Sequence, residues 1–313
     1  MARARVSVAK GGSRTECVSR ALSVLEDDIR GSLKGAKEVL IKPNFVSCFR
    51  QLAATHVEAV RALMSFLARQ GVHHFILAEG PAIGEAGDGF RNYGYGALAE
   101  EFDVEFIDLN QDDFIYVEVL DASFRPLEVR VAKTVVEAGY RISICPMKTH
   151  DTVVVTLSIK NMAVGAILKP DKPKIHQGYQ AINLNIARLA QLVWPHLAVI
   201  DGFLGMEGSG PVSGDPVELG LALVSTDPLA ADAVATSIMG FDPLEIGYLY
   251  YCGLLGLGEI RLDRIEVLGP DLSWIRKPFR PHPSYGEQLN WRTGLSEEEI
   301  LGLLRIEGTC FKS

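Results

Sequence analysis

Cysteine is scarce: five residues, Cys17, Cys48, Cys145, Cys252 and Cys310, are scattered through 313 positions without a C-x-x-C pair. That spacing argues against a disulfide framework and lacks the ligand runs of a ferredoxin-type cluster. Cys145 lies in an apolar run and is expected to pack as a small buried residue. No uninterrupted apolar stretch is long enough to span a bilayer. The opening MARARVSVAKGG passes straight into a strand-like pattern and lacks the apolar core of a signal peptide. An excess of positive charge is also missing. The formal net charge is −8, which disfavours non-specific nucleic-acid binding. Short repeats, low-complexity tracts and obvious linkers are absent. The expectation is a cytoplasmic protein that engages neither nucleic acid nor membrane.

What is present is an ordinary globular composition, 48% hydrophobic and 22% charged, long enough to bury a sizeable core. Short apolar strands alternate with amphipathic segments. Strands are expected at 4–9, 38–42, 75–78, 104–109, 141–146, 197–201, 218–225 and 262–268. Helices are expected after the capping patterns Ser13/Glu16, Thr55/Glu58 and Ser296/Glu299. The alternation predicts an α/β fold, a mostly parallel sheet with helices on both faces. FIYVEVL at 114–120 and LEVRVA at 127–132 predict a small antiparallel hairpin excursion. The chain reads as a single α/β domain over 1–313, and the hairpin is where a boundary between two lobes would fall.

The stretch 141–166 stands out. It reads as a buried strand (RISICP), a polar turn (MKTH) and a helix, and it places Lys148, His150 and Lys160 within thirteen positions. In an open parallel sheet, ligands bind at the carboxyl ends of the strands. The expected strand ends carry Lys42 and Asn44, Glu79, Lys148 to His150, Asp201 and Gly202, and Thr226 with Asp227, so these groups are expected to share one edge. Two like charges about 4 Å apart repel by roughly 4 kcal/mol at an effective dielectric of 20. Clustered lysines therefore require an anion. It is either a small anionic ligand or the protein's own Asp201, Asp215, Asp227 and Asp232.

His150 is read either as a proton-transfer group or as a histidine satisfied by backbone. His176 lies in a lysine-rich loop (167–178) and is read as solvated or as a ligand contact. The other five histidines, at 56, 73, 74, 196 and 282, are read as surface or structural. The glycine-rich segment 202–216, including Gly208 and Gly210, is expected to be irregular. It would act either as a surface loop or as a flap whose N–H groups reach the ligand. A metal-dependent enzyme using His150, His176 and Asp residues is an alternative, although the spacing gives no metal motif. A non-catalytic ligand- or partner-binding module, with a patch at Tyr248, Tyr250, Tyr251 and Leu254, is a second alternative.

IKPN at 41–44, CPMKTH with VTLSIKN at 145–161, His176, IDG at 200–202, GSGPVSG at 208–214 and STDPLAADAVA at 225–235 together resemble the family called domain of unknown function 362. The resemblance covers about 39–258 and leaves 259–313 as a C-terminal extension. Many members carry ferredoxin-type iron–sulfur modules, which implies a redox setting and a redox partner protein. This chain lacks the cysteine runs of such a module, and the resemblance names no cofactor. It places the candidate site on Lys42, Asn44, Lys148, Thr149, His150, Lys160, Asn161, His176, Asp201, Gly202, Gly208, Gly210, Asp227 and Asp232. The resulting expectation is an enzyme or enzyme-derived domain that binds a small anionic molecule. Lys148, His150 and Lys160 would carry the chemistry, and the remaining residues would bind or orient.

Overall fold

A computed structural model describes residues 3–306. Its eleven strands are β1 (Ala4–Lys10), β2 (Glu38–Lys42), β3 (His74–Glu79), β4 (Asp103–Asp108), β5 (Phe114–Leu120), β6 (Pro126–Ala132), β7 (Arg141–His150), β8 (Val154–Thr156), β9 (Leu197–Glu207), β10 (Asp215–Ser225) and β11 (Ile265–Leu268). The main sheet runs β11-β1-β10-β9-β7-β2-β3-β4, with β8 paired to β7. All its strands are parallel except β10 and β8. The expected mostly parallel sheet is therefore present, and β5 and β6 form the separate antiparallel hairpin.

Helices cover both faces because the central strands are apolar on both sides. Arg14–Val24 and Val57–Arg69 lie over one face with Val39, Ile41, Ile142, Ile144 and Val199. Ser158–Gly165, Gly178–Leu192 and Pro228–Ile238 lie over the other with Leu40, Cys145 and Ile200. This alternation of neighbouring strand residues between two cores is the period-2 consequence of the pleat. Asn185 on the second face holds the hairpin: its side chain accepts from Leu120 N at 2.7 Å and donates to Leu120 O at 2.9 Å. Cys17, Cys48, Cys145 and Cys252 are buried free thiols; Cys310 lies outside the described residues.

Three expectations about local structure are corrected. The polar run Met147–His150 is not a turn. It continues β7, because β8 returns antiparallel and pairs Lys148 with Thr156 and His150 with Val154. Residues 202–207 and 215–217 are not loop either. They extend β9 and β10 into a long hairpin, leaving only 208–214 as its turn. Gly202 and Gly205 serve close packing there, since a Cβ at 202 would press on Leu221 and Met147 and one at 205 on Phe279. Thirdly, the helix expected after Thr55 is capped by His56, whose Nδ1 accepts from Glu58 N at 3.2 Å. Thr55 instead donates to Ile144 O at 3.0 Å. The box at Ser296 and Glu299 is formed as expected.

Candidate functional site

A cavity of about 200 Å³ opens at the carboxyl ends of β2, β3 and β7. Lys42, Asn44, Glu79, His150, Thr156, Lys160, Asn161, Gly165, Lys172 and His176 are on its wall, and Pro211 reaches it from the β9–β10 turn. The floor is one hydrogen-bonded network. Lys42 Nζ donates to Glu79 in a short ion pair, to Pro43 O at 3.0 Å and to Asn161 Oδ1 at 3.2 Å. Asn161 Oδ1 also accepts from Asn44 Nδ2 at 3.0 Å, and Asn161 Nδ2 donates to Lys42 O and Ser143 Oγ. Glu79 Oε1 accepts from Phe45 N at 3.0 Å. Gly165 is required beside this pair, because a Cβ there would overlap the Lys42 side chain.

The anion expected for the clustered lysines is not supplied by the four aspartates. Asp201 pairs with Arg14 at 2.6 Å, and Asp215 pairs with Arg280. Asp232 accepts from Ser158 N at 2.9 Å, Ser158 Oγ at 2.5 Å and Ile159 N at 3.0 Å, fixing the start of the helix that carries Lys160. Asp227 caps the helix Pro228–Ile238 and accepts from Glu259 N. Because β10 runs antiparallel, its carboxyl end, and Asp227 with it, lies at the opposite edge of the sheet from Lys42. The expected shared edge therefore gathers Lys42, Asn44, Glu79 and His150 and excludes Asp227. Asp201 also falls outside the cavity wall, because β9 continues past it and its side chain turns to Arg14.

Each lysine has a different environment. Lys148 is wholly buried and is not on the cavity wall; its Nζ donates to Asn44 Oδ1 at 2.6 Å and Ala53 O at 2.8 Å. Burial lowers its pKa to about 7. Lys172 donates to the carbonyls of Val164, Gly165 and Ile167. Burial, then the Lys42 charge, lowers its pKa to about 7. Lys160 is only 7% exposed and lines the cavity. Among the described residues, no acceptor lies within hydrogen-bond distance of its Nζ. Burial lowers its pKa to about 8; Asp151 opposes the shift and Lys42 adds to it.

The two histidines take complementary states. His150 Nδ1 accepts from Thr152 N at 3.0 Å, so the neutral ring carries its proton on Nε2. Asp151 Oδ1 lies 3.0 Å from the same Nδ1, and protonation would exchange the Thr152 contact for the carboxylate. Burial and the Lys160 charge hold the His150 pKa down to about 3, so the neutral ring prevails. His176 stands at the mouth, exposed. Its Nδ1 lies 3.0 Å from Lys172 O, which only a protonated Nδ1 satisfies, leaving Nε2 as a bare acceptor. Partial burial and the Lys160 charge lower its pKa. Thr156 is 2% exposed, and its hydroxyl has no hydrogen-bond partner among the described residues. The hydroxyl oxygen itself is sealed from solvent, although other atoms of Thr156 line the cavity.

The comparisons with known proteins agree with the motifs. A family described as a domain of unknown function, DUF362, matches residues 39–237. The chain belongs to the DUF362 family. The matched DUF362 region ends about a helix earlier than the resemblance suggested. It takes in the whole cavity wall, every one of whose residues lies between Lys42 and Pro211. A thylakoid-associated protein of Synechocystis is 30% identical over 233 residues, which is 72% of this chain and 70% of that protein. The lactate racemase apoprotein from Thermoanaerobacterium thermosaccharolyticum is 12% identical, with a TM-score of 0.48. The match covers 76% of this chain, which spans 57% of that one. Among the described residues, no helix is long and apolar enough to cross a membrane.

The remaining expected site residues are structural neighbours of the cavity. Thr149 is buried and donates to Gly208 O at 2.9 Å. Gly210 packs on the Thr149 backbone, and Gly208 adopts φ +72° against Arg280. The turn 208–214 is also tied down by Arg50, which donates to Val212 O and Gly214 O. It is anchored at both sides, which does not suit a freely swinging flap. The metal ligand set is not assembled: Asp201 and Asp215 are paired elsewhere, and groups of three or more His, Cys, Asp and Glu placed to hold an ion are absent among the described residues. Tyr248 and Tyr251 are buried in helix packing, and only Tyr250 of the aromatic trio is appreciably exposed, at 37%.

Sequence reasoning missed Lys172, Thr156 and Gln288. Gln288 donates to His150 O at 3.0 Å and accepts from Val154 N, holding Val154 at φ +65°. A β-branched residue in the left-handed region is strained, and the clamp fixes that strain beside His150.

Proposed function

We propose that the chain is an enzyme, or an enzyme-derived domain, that binds a compact anionic molecule in the cavity between Lys160, His150 and His176. The observation that carries this reading is Lys160: a desolvated cation with no acceptor among the described residues, on the wall of a small cavity. Asp151, on the same wall, lends the ammonium some charge, but no carboxylate of the described residues stands within ion-pair distance of it, and an anionic ligand supplies the direct partner that the carboxylates do not. Lys42 and Lys172 add positive potential from behind, with their own protons committed to Glu79 and to backbone carbonyls. Preorganised charge of this kind is the largest common catalytic contribution. His150 Nε2–H is the free donor beside it. His176 Nε2 is the base at the mouth, so proton transfer to or from the bound molecule is the chemistry these groups suit.

The cavity volume favours molecules of a few heavy atoms, such as short carboxylates or inorganic phosphate. The test is calorimetric titration with acetate, lactate, pyruvate, oxalate and phosphate at constant ionic strength, in the wild type and in Lys160→Met. Saturable binding of at least one anion, weakened tenfold or more by the substitution, is expected. Equal binding by both proteins, or none by either, would refute the reading.

A further inference from the structure

We infer that Lys160 is an amine nucleophile, and that the site takes a small 2-oxo carboxylate and joins it to Lys160 as an imine. This rests on the anion-binding reading above and specifies its substrate class. Elimination among the amines at and behind the cavity leaves Lys160. Lys42 is committed to Glu79, Pro43 O and Asn161. Lys172 is committed to three carbonyls. Lys148 is shut behind Asn44. Lys160 alone of the four faces the cavity with no hydrogen bond engaging its nitrogen among the described residues. An amine attacks through a free lone pair, and desolvation beside other cations is the usual way to obtain one at neutral pH. A fall from 10.5 to about 8 raises the neutral fraction at pH 7 from about 0.03% to about 10%.

His176 carries the proton steps. His176 Nε2, bare because Nδ1 is held by Lys172 O, accepts the proton that leaves the ammonium. The Lys160 nitrogen then attacks the ketone carbon. The C–N bond forms as the carbonyl π bond opens; the oxygen, held by a hydrogen bond from His150 Nε2–H, takes back the proton held by His176 to give a carbinolamine still protonated on nitrogen. His176 then takes the second proton from that nitrogen and passes it to the hydroxyl; the nitrogen lone pair forms the C=N bond as the C–O bond breaks, and water leaves, giving the iminium. Both hydrogens of the water come from the ammonium, and His150 keeps its proton throughout. The net change is one water released per imine, with no oxidant or reductant required.

The experiment is reductive trapping. The full chain is incubated with pyruvate and borohydride, and intact mass and peptide mapping follow. Borohydride delivers hydride to an iminium carbon and fixes a secondary amine. One carboxyethyl adduct per chain, confined to the peptide holding Lys160, is expected, with none from lactate. Mapping the wild type locates the adduct without relying on a variant that fails to fold. Lys160→Arg should lose the adduct while keeping a cation. Adducts spread evenly over surface lysines, or located on Lys172, would overturn the assignment. Pyruvate that binds by calorimetry yet leaves no adduct would overturn the amine chemistry and leave the anion-binding reading intact. Neither binding nor adduct for any anion tested would overturn both.

Discussion

Replacing Lys160 by Met should make the ligand-free protein more stable. Its pKa falls from the ordinary 10.5 to about 8, which corresponds to about 3 kcal/mol of differential interaction against the charged form. The sign follows from linkage. The folded value lies below the unfolded one, so between about pH 8 and 10.5 the unfolded chain holds a proton that the folded chain has lost. Stability therefore rises across that window, and the full penalty applies below it. Met retains the volume and apolar contacts of the lysine stem while removing the charge, and volume-conserving changes of this kind are well tolerated. A net gain of about 1–3 kcal/mol is expected at pH 7. With a denaturant slope of about 3 kcal/mol per molar urea, that is an upward shift of up to about 1 M in the midpoint. The assay is urea unfolding at pH 7 and pH 10 in anion-poor buffer. The wild type should gain on the variant as pH rises. A variant less stable than the wild type by more than about 1 kcal/mol at pH 7 would show that Lys160 already has a protein partner, and the reasoning would fail.

Other substitutions separate the floor of the site from its reactive wall. Gly165→Ala should press a methyl group onto Lys42 and cost about 1–3 kcal/mol through overpacking, read from the thermal midpoint. Glu79→Gln should leave Lys42 buried without its counter-charge, at a cost of about 3–5 kcal/mol, and adding Lys42→Met should recover much of that loss in a double-mutant cycle. Lys148→Ala removes two hydrogen bonds and leaves a void, so it should destabilise by about 2–4 kcal/mol, in contrast to the gain at Lys160. Asp232, raised by burial to about 7, destabilises the fold increasingly as pH rises from about 4 to 7, because over that window the folded chain binds the extra proton. Asp232→Asn should flatten that slope while losing the bond from Ile159 N, as urea midpoints across the range would record.

Much of the site was legible because parallel strands followed by short polar motifs announce their own carboxyl ends. Lys42, Asn44 and Glu79 are placed by that rule, Lys160 and Asn161 by the basic cluster of 141–166 and the family motif, and all five converge. Two features were not legible. Lys148 and His150 read as a turn because Pro146 and a polar run usually end a strand. The strand continues only because β8 returns to pair with it, a tertiary fact. The glycines at 202 and 205 read as looseness, whereas they allow close packing inside a long hairpin. That misreading hid the reversed direction of β10, and with it the reason Asp227 stands at the far edge of the sheet. Lys172 carried no local signal that separates it from Lys169 and Lys174. Its burial comes from three carbonyls of a neighbouring segment, all within eight residues before it yet placed by the fold of the helix end.

The central claim, that Lys160 waits for an anion, is tested most directly by proton uptake on binding. A bound anion favours the ammonium and raises the Lys160 pKa, so at pH 8.5 the complex should take up a fraction of a proton from buffer. Pyruvate, oxalate or phosphate titrated in two buffers of different ionisation enthalpy should give heats that differ accordingly in the wild type and coincide in Lys160→Met. Heats that are independent of buffer in the wild type, or a buffer dependence that survives the substitution, would contradict it.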